Sequence, residues 1–324
     1  MGGGTEQSAT LRAVIANLIG GRWVKPDGAS LPVYDPATGE VIEQVPISGA
    51  AAVGDAVAAA TRAYSDWSRT ALMERVRLMF RFKALLEEGA EDLARVVTRH
   101  HGKTLEEARG EVRRGIEVVD FACGAPTLLQ GRTLRDVSAG VDQDLYRFPL
   151  GVVAGIPPFN FPVMIPLWMF PLAVVAGNTF ILKPSERTPL GAVRLAEIFT
   201  AAGFPDGVLN LVHGSGAEVE ALIAHSGVAA ISFVGSAPVA RHVYTAAAAQ
   251  GKRVQALGGA KNHIVVMPDA DLELAVPAIL GSAYGHAGER WLSGRVAVTD
   301  GTTGPALLVQ LVGTVARLTP GPAD

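Results

Sequence analysis

Short apolar runs alternate with longer amphipathic stretches through the middle of the chain. Runs rich in β-branched residues predict strands, and stretches with apolar residues three or four positions apart predict helices. Gly177, Gly203 and Gly251 follow three of the helical stretches, as glycine commonly does at a helix end. Such alternation indicates an α/β fold with a doubly wound parallel sheet. The predicted order is strand 146–156, helix 162–177, strand 179–182, helix 189–202, strand 208–212, helix 217–225, strand 229–234 and helix 238–249.

Helical patterns precede this middle section, and another strand follows it. Asp271 is a favourable cap residue for the first helix that comes after the section. We therefore expect a second α/β unit to begin near residue 266. The upstream helices are predicted at 51–64, 74–88, 91–99 and 105–123, and the downstream elements are strand 263–267, helix 272–284, strand 295–299 and helix 306–318.

Composition supports a packed chain with no bias towards a charged partner. With 49% hydrophobic and 18% charged residues, the 324 residues contain enough apolar material for a sizeable core. The 28 basic and 31 acidic side chains leave a net charge of −3, so charge gives no reason to expect nucleic acid or an anionic membrane as a partner. The uncharged stretch 148–182 is divided by several prolines, which argues against a membrane-spanning helix.

The single cysteine and the N-terminal segment bear on location. Cys123 has no partner for an intramolecular disulfide or for a paired zinc site. The segment 1–18 lacks the charged start and continuous apolar core of a secretory signal. The seven histidines show no paired spacing typical of metal ligands, so we expect no metal site. Together these features favour a cytoplasmic protein.

Three strand-to-helix turns carry polar residues suited to a ligand, because open parallel sheets bind ligands at the carboxyl ends of their strands. In the first turn, Asn160 stands among apolar residues, where its amide NH2 is able to donate to a developing oxyanion. The alternative is that Asn160 caps the following helix. The sequence alone leaves both interpretations open.

The other two turns suit a nucleotide. Lys183 and Glu186 lie three residues apart, so the carboxylate is able to accept from ribose hydroxyls while the ammonium donates to them. Ser236 follows Gly235 at a helix start, where free backbone N–H groups suit a pyrophosphate. The alternatives are an exposed ion pair for Lys183 and Glu186 and an ordinary helix cap for Ser236.

Taken in this order, the turns resemble those of the aldehyde dehydrogenase superfamily, and within it those of the CoA-acylating methylmalonate-semialdehyde dehydrogenases. The most specific segments are 165–171, which contains Trp168, and Gly-Ala-Lys-Asn-His at 259–263. The resemblance covers nearly the whole chain. Further matching segments lie at 19–24, 34–39, 151–162, 177–187, 230–236 and 287–290.

This resemblance implies a domain layout and an activity. Residues 1–265 would form an NAD-binding Rossmann-like domain with a bridging hairpin near 134–150, and residues 266–324 would form the first part of a catalytic domain that is incomplete here. Members of the subfamily oxidise the small molecules methylmalonate or malonate semialdehyde with NAD and CoA, giving propionyl-CoA or acetyl-CoA in valine and inositol breakdown. They form homo-oligomers through a terminal segment beyond the point that matches Asp324, so we expect a truncated chain.

The resemblance also implies roles for individual residues. Asn160 would donate to the oxyanion, and Arg114 and Arg290 would hold the substrate carboxylate through their guanidinium groups. Taken alone, both arginines would more often be surface charges. The NAD site would be lined by Pro157, Phe159, Lys183, Glu186, Arg187, Ser236 and Gly258.

Ala256 bears on the fate of the acyl-enzyme. Hydrolytic relatives carry a glutamate at this position, where it acts as a general base that activates water. Without this base water is a poor acceptor, whereas the CoA thiol is partly ionised near neutral pH and strongly nucleophilic. Ala256 therefore favours formation of a thioester over hydrolysis.

The nucleophile position carries the main departure from the family. Relatives have a cysteine directly after Gly-Glu-Arg, and this chain has Trp291 there. An indole has no ionisable nucleophile, and its size would crowd the site. Cys123, the only thiol, is expected to be buried and inert. We therefore expect no turnover, and two alternatives remain: a catalytically silent NAD-binding or subunit-interaction protein, or the product of a non-functional gene.

Overall fold

The structure is a computed structural model that describes residues 14–319 and residue 321. Most of the segment 1–18, which is expected to contain no secretory signal, lies outside the described residues, as do 320 and 322–324 at the end of the predicted unit 266–324. The described strands are β1 Asn17–Ile19, β2 Arg22–Val24, β3 Ser30–Tyr34, β4 Val41–Pro46, β5 Arg132–Ser138, β6 Val141–Leu145, β7 Val152–Ile156, β8 Thr179–Leu182, β9 Leu209–Leu211, β10 Val228–Val234, β11 Arg253–Leu257, β12 Asn262–Val266 and β13 Gly294–Thr299. The helices are α1 Gly49–Trp67, α2 Leu72–Glu88, α3 Ala90–His101, α4 Leu105–Cys123, α5 Ala125–Leu128, α6 Met164–Val175, α7 Leu190–Ala201, α8 Gly216–Ala224, α9 Ala237–Ala249, α10 Leu272–Tyr284 and α11 Thr303–Val315.

The largest sheet has the strand order β11-β10-β7-β8-β9-β1-β2. Its strands from β11 to β9 are parallel, whereas β1 pairs antiparallel with both β9 and β2. Within the five parallel strands the chain runs from the middle strand β7 outwards to β8 and β9, and then crosses back to β10 and β11. This is a doubly wound order. The predicted α/β fold class is confirmed, with the antiparallel pair β1–β2 added at one edge.

Alternate residues of the central strand face two hydrophobic cores. Val152, Ala154 and Ile156 lie in one core with residues of α1, α8 and α9, whereas Val153 lies in the other with residues of α2, α3, α4, α6 and α7. This alternation follows from the two-residue period of a strand. Because helices cover both faces, the strands are continuous apolar runs, which is why the sequence pattern predicts them.

The N-terminal strand β1 is joined to the sheet by contacts between distant parts of the chain. Leu18 pairs with Leu211, and the Gly20 N–H donates to Asn210 Oδ1 at 2.9 Å across 190 positions. Asn17 Oδ1 accepts from the backbone N–H of His213 at 2.8 Å. These bonds fix the position of the residues that follow β9.

The predicted strand 146–156 is shorter in the structure. Only Val152–Ile156 is a strand, because Pro149 has no N–H and Gly151 adopts a φ of 131°. No apolar run marks the edge strand β11, on which Arg253 and Gln255 are exposed. The hairpin β3–β4 likewise lies outside the predicted elements.

Two smaller units lie beside the main sheet. Strands β5 and β6 form an antiparallel ribbon whose residues are all exposed. Strands β12 and β13 pair in parallel, and β12 packs with α10 and α11 around a separate small core. The domain boundary near residue 266 and the bridging role of the ribbon remain predictions. In the part of the chain that the structure describes, no helix is both long and apolar enough to cross a membrane.

Candidate active site

A cavity of about 1060 Å³ opens at the carboxyl ends of β7, β8 and β10. It brings together residues from separate turns, as the rule for parallel sheets predicts. Gly258, Arg114 and Arg290 do not line it. Of the predicted site residues, those that line it are Pro157, Phe159, Asn160, Lys183, Glu186, Arg187, Ser236 and Trp291.

Lys183 and Glu186 form a partly buried pair at the end of β8. The Lys183 Nζ lies 3.5 Å from Glu186 Oε2, and their side chains are 4% and 38% exposed. Burial lowers the pKa of Lys183, while the negative charges of Glu186 and Glu218 act in the opposite direction. Lys183 is therefore a buried side chain that lines the cavity, which does not fit the alternative of an exposed ion pair.

Ser236 begins α9 with its side chain free. Its backbone is extended, with φ −68° and ψ 149°, and its side chain makes no hydrogen bond to the helix start. Ser236 therefore occupies the N-cap position of α9 but does not cap the helix through its side chain. Gly258 lies just beyond β11, where an added Cβ would be 3.1 Å from Ala237 Cα. It permits the close approach of β11 to the start of α9, which is a supporting position behind the cavity.

Asn160 is held by one buried side chain and by a loop. Its carbonyl oxygen accepts from Lys103 Nζ at 2.8 Å, and its side-chain amide donates to the carbonyl of Glu289. Lys103 Nζ also donates to Glu111 Oε2 at 2.6 Å, and both side chains are fully buried. Burial lowers the pKa of Lys103, and the charge of Glu111 opposes that shift.

Glu111 also stabilises the start of α6. Its Oε1 accepts from the backbone N–H groups of Val163 at 2.9 Å and Met164 at 3.1 Å. A side chain of α4 thus satisfies these two donors, so Asn160 does not cap the helix. Sequence reasoning missed Lys103 and Glu111. The available signal was that Glu111 lies on the face of α4 that also carries buried Ala108 and Val112.

The loop before Trp291 has an unusual backbone. His286 and Ala287 adopt φ values of 54° and 55°, and Gly288 follows with 75°, a left-handed conformation that non-glycine residues adopt at a cost. The His286 N–H donates to Glu107 Oε1 at 2.8 Å. Burial, together with the positive charges of Lys103 and Arg290, lowers the pKa of His286 to about 3. Its imidazole is therefore neutral at physiological pH.

Arg114 and Arg290 lie near this loop. Arg290 is 3.5 Å from Glu107 Oε1. Arg114 is exposed on α4, and its Nε donates to the Gly110 carbonyl at 3.1 Å. The positive charges of both arginines act on His286, so they belong to the same neighbourhood. Their predicted role with a substrate carboxylate remains a prediction.

Trp291 closes one side of the cavity. Its side chain lines the cavity and packs, partly buried, against the larger hydrophobic core. Asn262 donates a side-chain hydrogen bond to its carbonyl. An indole therefore occupies the wall that also contains Asn160 and Glu289. Ala256 lies on β11 beside Phe233 and does not line the cavity.

The environment of Cys123 makes its thiol unreactive. The residue is 6% exposed, and burial, with the negative charge of Asp120, raises the pKa of Cys123 to about 11. Among residues 14–319 and 321, no group of three or more His, Cys, Asp or Glu side chains is placed to hold a metal ion.

We expect iodoacetamide to label Cys123 slowly in the native chain. Near pH 8 the rate should be about 10²-fold below that of the urea-unfolded chain, whose thiol has a pKa of about 8.5. The native rate should increase as the pH rises towards about 11, because more thiolate forms. Mass spectrometry measures both rates. Equal rates in the native and unfolded chains would contradict a buried thiol.

Comparisons with known proteins identify the family. The sequence model described as the aldehyde dehydrogenase family matches residues 23–324. The chain belongs to this family. A malonate-semialdehyde dehydrogenase from Geobacillus kaustophilus is 54% identical over 305 residues, which are 94% of this chain and 63% of that relative. One from Halalkalibacterium halodurans is 53% identical over 308 residues, covering 95% of this chain and 64% of the relative.

Solved structures agree with this assignment. The methylmalonate-semialdehyde dehydrogenase of Oceanimonas doudoroffii has a TM-score of 0.93 and 48% identity over 96% of this chain and 64% of its own. A protein from Sinorhizobium meliloti, solved in complex with NAD, has a TM-score of 0.94 and 43% identity over 97% of this chain and 64% of its own. The resemblance to the semialdehyde dehydrogenases is confirmed. The chain spans slightly less than two thirds of the length of these relatives.

Proposed function

We propose that this chain binds NAD in the cavity at the carboxyl ends of β7, β8 and β10. The observation that carries the proposal is that Lys183, Glu186 and Ser236, from two separate turns, open into one cavity. Glu186 would accept hydrogen bonds from ribose hydroxyls, and Lys183 would donate to them. The open N-terminus of α9 at Ser236 would hold the pyrophosphate. The NAD complex of the Sinorhizobium meliloti relative supports this choice of ligand.

The polar groups of the cavity fit NAD because they are free to bond with it. The Ser236 side chain makes no hydrogen bond at the helix start, and among the described residues the Glu186 carboxylate contacts Lys183 at 3.5 Å and no other side chain. A ligand would therefore not have to break strong internal bonds first. When bound, NAD supplies an acceptor for hydride. Pro157, Phe159 and Arg187 would line its side of the cavity, and Gly258 would support the start of α9.

For the substrate, we propose malonate or methylmalonate semialdehyde as the compounds to which the family architecture is suited. The names of the relatives support this class. Arg114 and Arg290, which share the neighbourhood of His286, would hold the carboxylate, and Asn160 would donate to the oxyanion. CoA would be the acyl acceptor, because Ala256 supplies no general base for water. Propionyl-CoA or acetyl-CoA would be the product, in valine or inositol breakdown.

The side chain at position 291 lacks the nucleophile that this reaction needs. The proposed family reaction begins with attack by a thiolate, and Trp291 has no group able to carry it out. Cys123 does not line the cavity and holds its proton to about pH 11. We therefore propose NAD binding without turnover. A cytoplasmic location and assembly into homo-oligomers also stay predictions.

Saturating NAD is expected to raise the midpoint of thermal unfolding. A ligand at about 100 times its dissociation constant adds about 2.7 kcal/mol of stability when it binds only the folded state.

Glu186→Gln should weaken NAD binding about tenfold, because the variant loses a charged acceptor for the ribose hydroxyls. Glu197→Gln, which changes a half-exposed carboxylate on α7, is the matched control. The proposal would be contradicted if calorimetric titration detected no NAD binding by the unsubstituted chain.

A further inference from the structure

A fully buried carboxyl group lies directly behind the wall of the cavity. Glu218, the third residue of α8, has no exposed surface. Its Oε1 accepts from the backbone N–H of Gly49 at 2.7 Å, and its Oε2 accepts from the backbone N–H of Ser215 at 2.6 Å. Both oxygens thus act as acceptors, as those of an ionised carboxylate do. One side chain connects the start of α1 to the start of α8.

The loop before α8 is shaped around this carboxyl group. Gly214 has a φ of 146°, and a Cβ added there would lie 2.0 Å from the carboxyl carbon of Glu218. The two residues that follow, Ser215 and Gly216, line the cavity, whereas Glu218 itself does not. The position of this part of the wall therefore depends on a residue that no ligand in the cavity would touch.

Glu218 also acts on the buried lysine of the cavity. Burial lowers the pKa of Lys183, and the charges of Glu186 and Glu218 counteract that effect. The third titratable neighbour is His213, which is fully buried. Burial, together with the positive charge of Lys183, lowers the pKa of His213 to about 3. His213 is therefore neutral, and the two carboxylates, one on each side of the cavity wall, are the groups that favour the charged form of the lysine.

We infer that Glu218 is a positioning residue for the nucleotide site, which holds the Ser215–Gly216 wall in place through its hydrogen bonds to Gly49 and Ser215. This inference rests on the proposed binding of NAD. It assigns Glu218 two separable effects, one through hydrogen bonds that need the full length of its side chain and one through its negative charge. Substitutions that change length and charge independently distinguish the two effects.

Glu218→Gln removes the charge and places an NH2 group opposite one of two backbone N–H donors. NAD binding should weaken about tenfold, because one hydrogen bond to a charged group is lost and the loop shifts. The loss of binding at alkaline pH should begin at a lower pH than in the unsubstituted chain, because Lys183 loses one of the charges that favour its protonated form. Calorimetric titration with NAD from about pH 6 to about pH 10 gives both values.

Glu218→Asp keeps the charge and shortens the side chain by one methylene. NAD binding should again weaken, but its dependence on pH should stay that of the unsubstituted chain, because a negative charge remains near Lys183. Glu220→Gln on the same helix is the control, since Glu220 is exposed and contacts His242 on α9. It should change neither the affinity nor the pH profile. Circular dichroism establishes that each variant is folded.

Two results would overturn the inference. One is a folded Glu218→Gln that binds NAD with the affinity and pH profile of Glu220→Gln. The other is an equal displacement of the pH profile in Glu218→Asp and Glu218→Gln, which would show that charge is not the cause. If Glu218→Gln fails to fold, unchanged affinity in a folded Glu218→Asp overturns the positioning role. Lack of NAD binding by the unsubstituted chain would instead overturn the proposed function on which the inference rests.

Discussion

Lys103→Met is expected to lower the free energy of unfolding by about 3 to 5 kcal/mol, because removal of one partner from a buried ion pair leaves the other charge uncompensated. The substitution keeps most of the side-chain volume and removes the ammonium. Glu111 would then stay buried without its cation, and the carbonyl of Asn160 would lose its 2.8 Å hydrogen bond. The packing of the surrounding core would change little, so the loss would come from the unpaired polar groups.

Urea unfolding followed by circular dichroism measures this effect. Arg69→Met is the matched control, because its ion pair with Asp66 is exposed, with 75% and 89% of the two side chains accessible. Exposed pairs contribute little to stability, so the control should unfold near the unsubstituted chain. A Lys103→Met variant as stable as Arg69→Met would show that the pair is not the support of the Asn160 turn.

Trp291→Cys is expected to place a nucleophilic thiol in the wall of the cavity. We predict that NADH formation with malonate semialdehyde and CoA rises about 10³-fold or more over the unsubstituted chain, because loss of a nucleophile typically removes at least that factor. The thiol is smaller than the indole and would lie on the wall that contains Asn160 and Glu289. Absorbance of NADH measures the rate, and iodoacetamide labelling measures the new thiol.

Two further variants make this result specific. Trp291→Ser opens similar space without supplying a thiolate, so it should stay inactive. Adding Asn160→Ala to Trp291→Cys should lower the gained rate about 10²- to 10³-fold, the usual effect of removing one oxyanion donor. If Trp291→Cys binds NAD, labels rapidly and still forms no NADH, the absence of the cysteine is not what limits this chain.

The middle of the fold was predictable because its strands are buried on both faces. Apolar runs such as Thr179–Leu182 and Val228–Val234 are separated by helices with glycine at their ends, so local pattern suffices. The hairpin β3–β4 and the edge strand β11 were not predictable in this way. Each has exposed positions along the strand, and the pairing that makes it a strand lies outside the reach of a local pattern.

The candidate site likewise contains residues that the sequence predicts and residues that it does not. Asn160, Lys183 and Ser236 were predictable because each follows a strand, and topology brings the carboxyl ends of parallel strands together. Lys103 and Glu218 were not, because their role lies in contacts with residues 57 and 169 positions away. A charged residue on an otherwise buried helix face marks such positions, but does not name the partner.

The pairing of β1 with β9 also sets an order of events during synthesis of the chain. Gly20 and Asn210 are 190 positions apart, so at about 5 to 20 residues per second the first strand waits about 10 to 40 s for its partner. With three residues in each strand, β1 and β2 are too short to persist as a hairpin alone. Strands β1 and β2 are therefore translated early and fixed late, after β9 has been made.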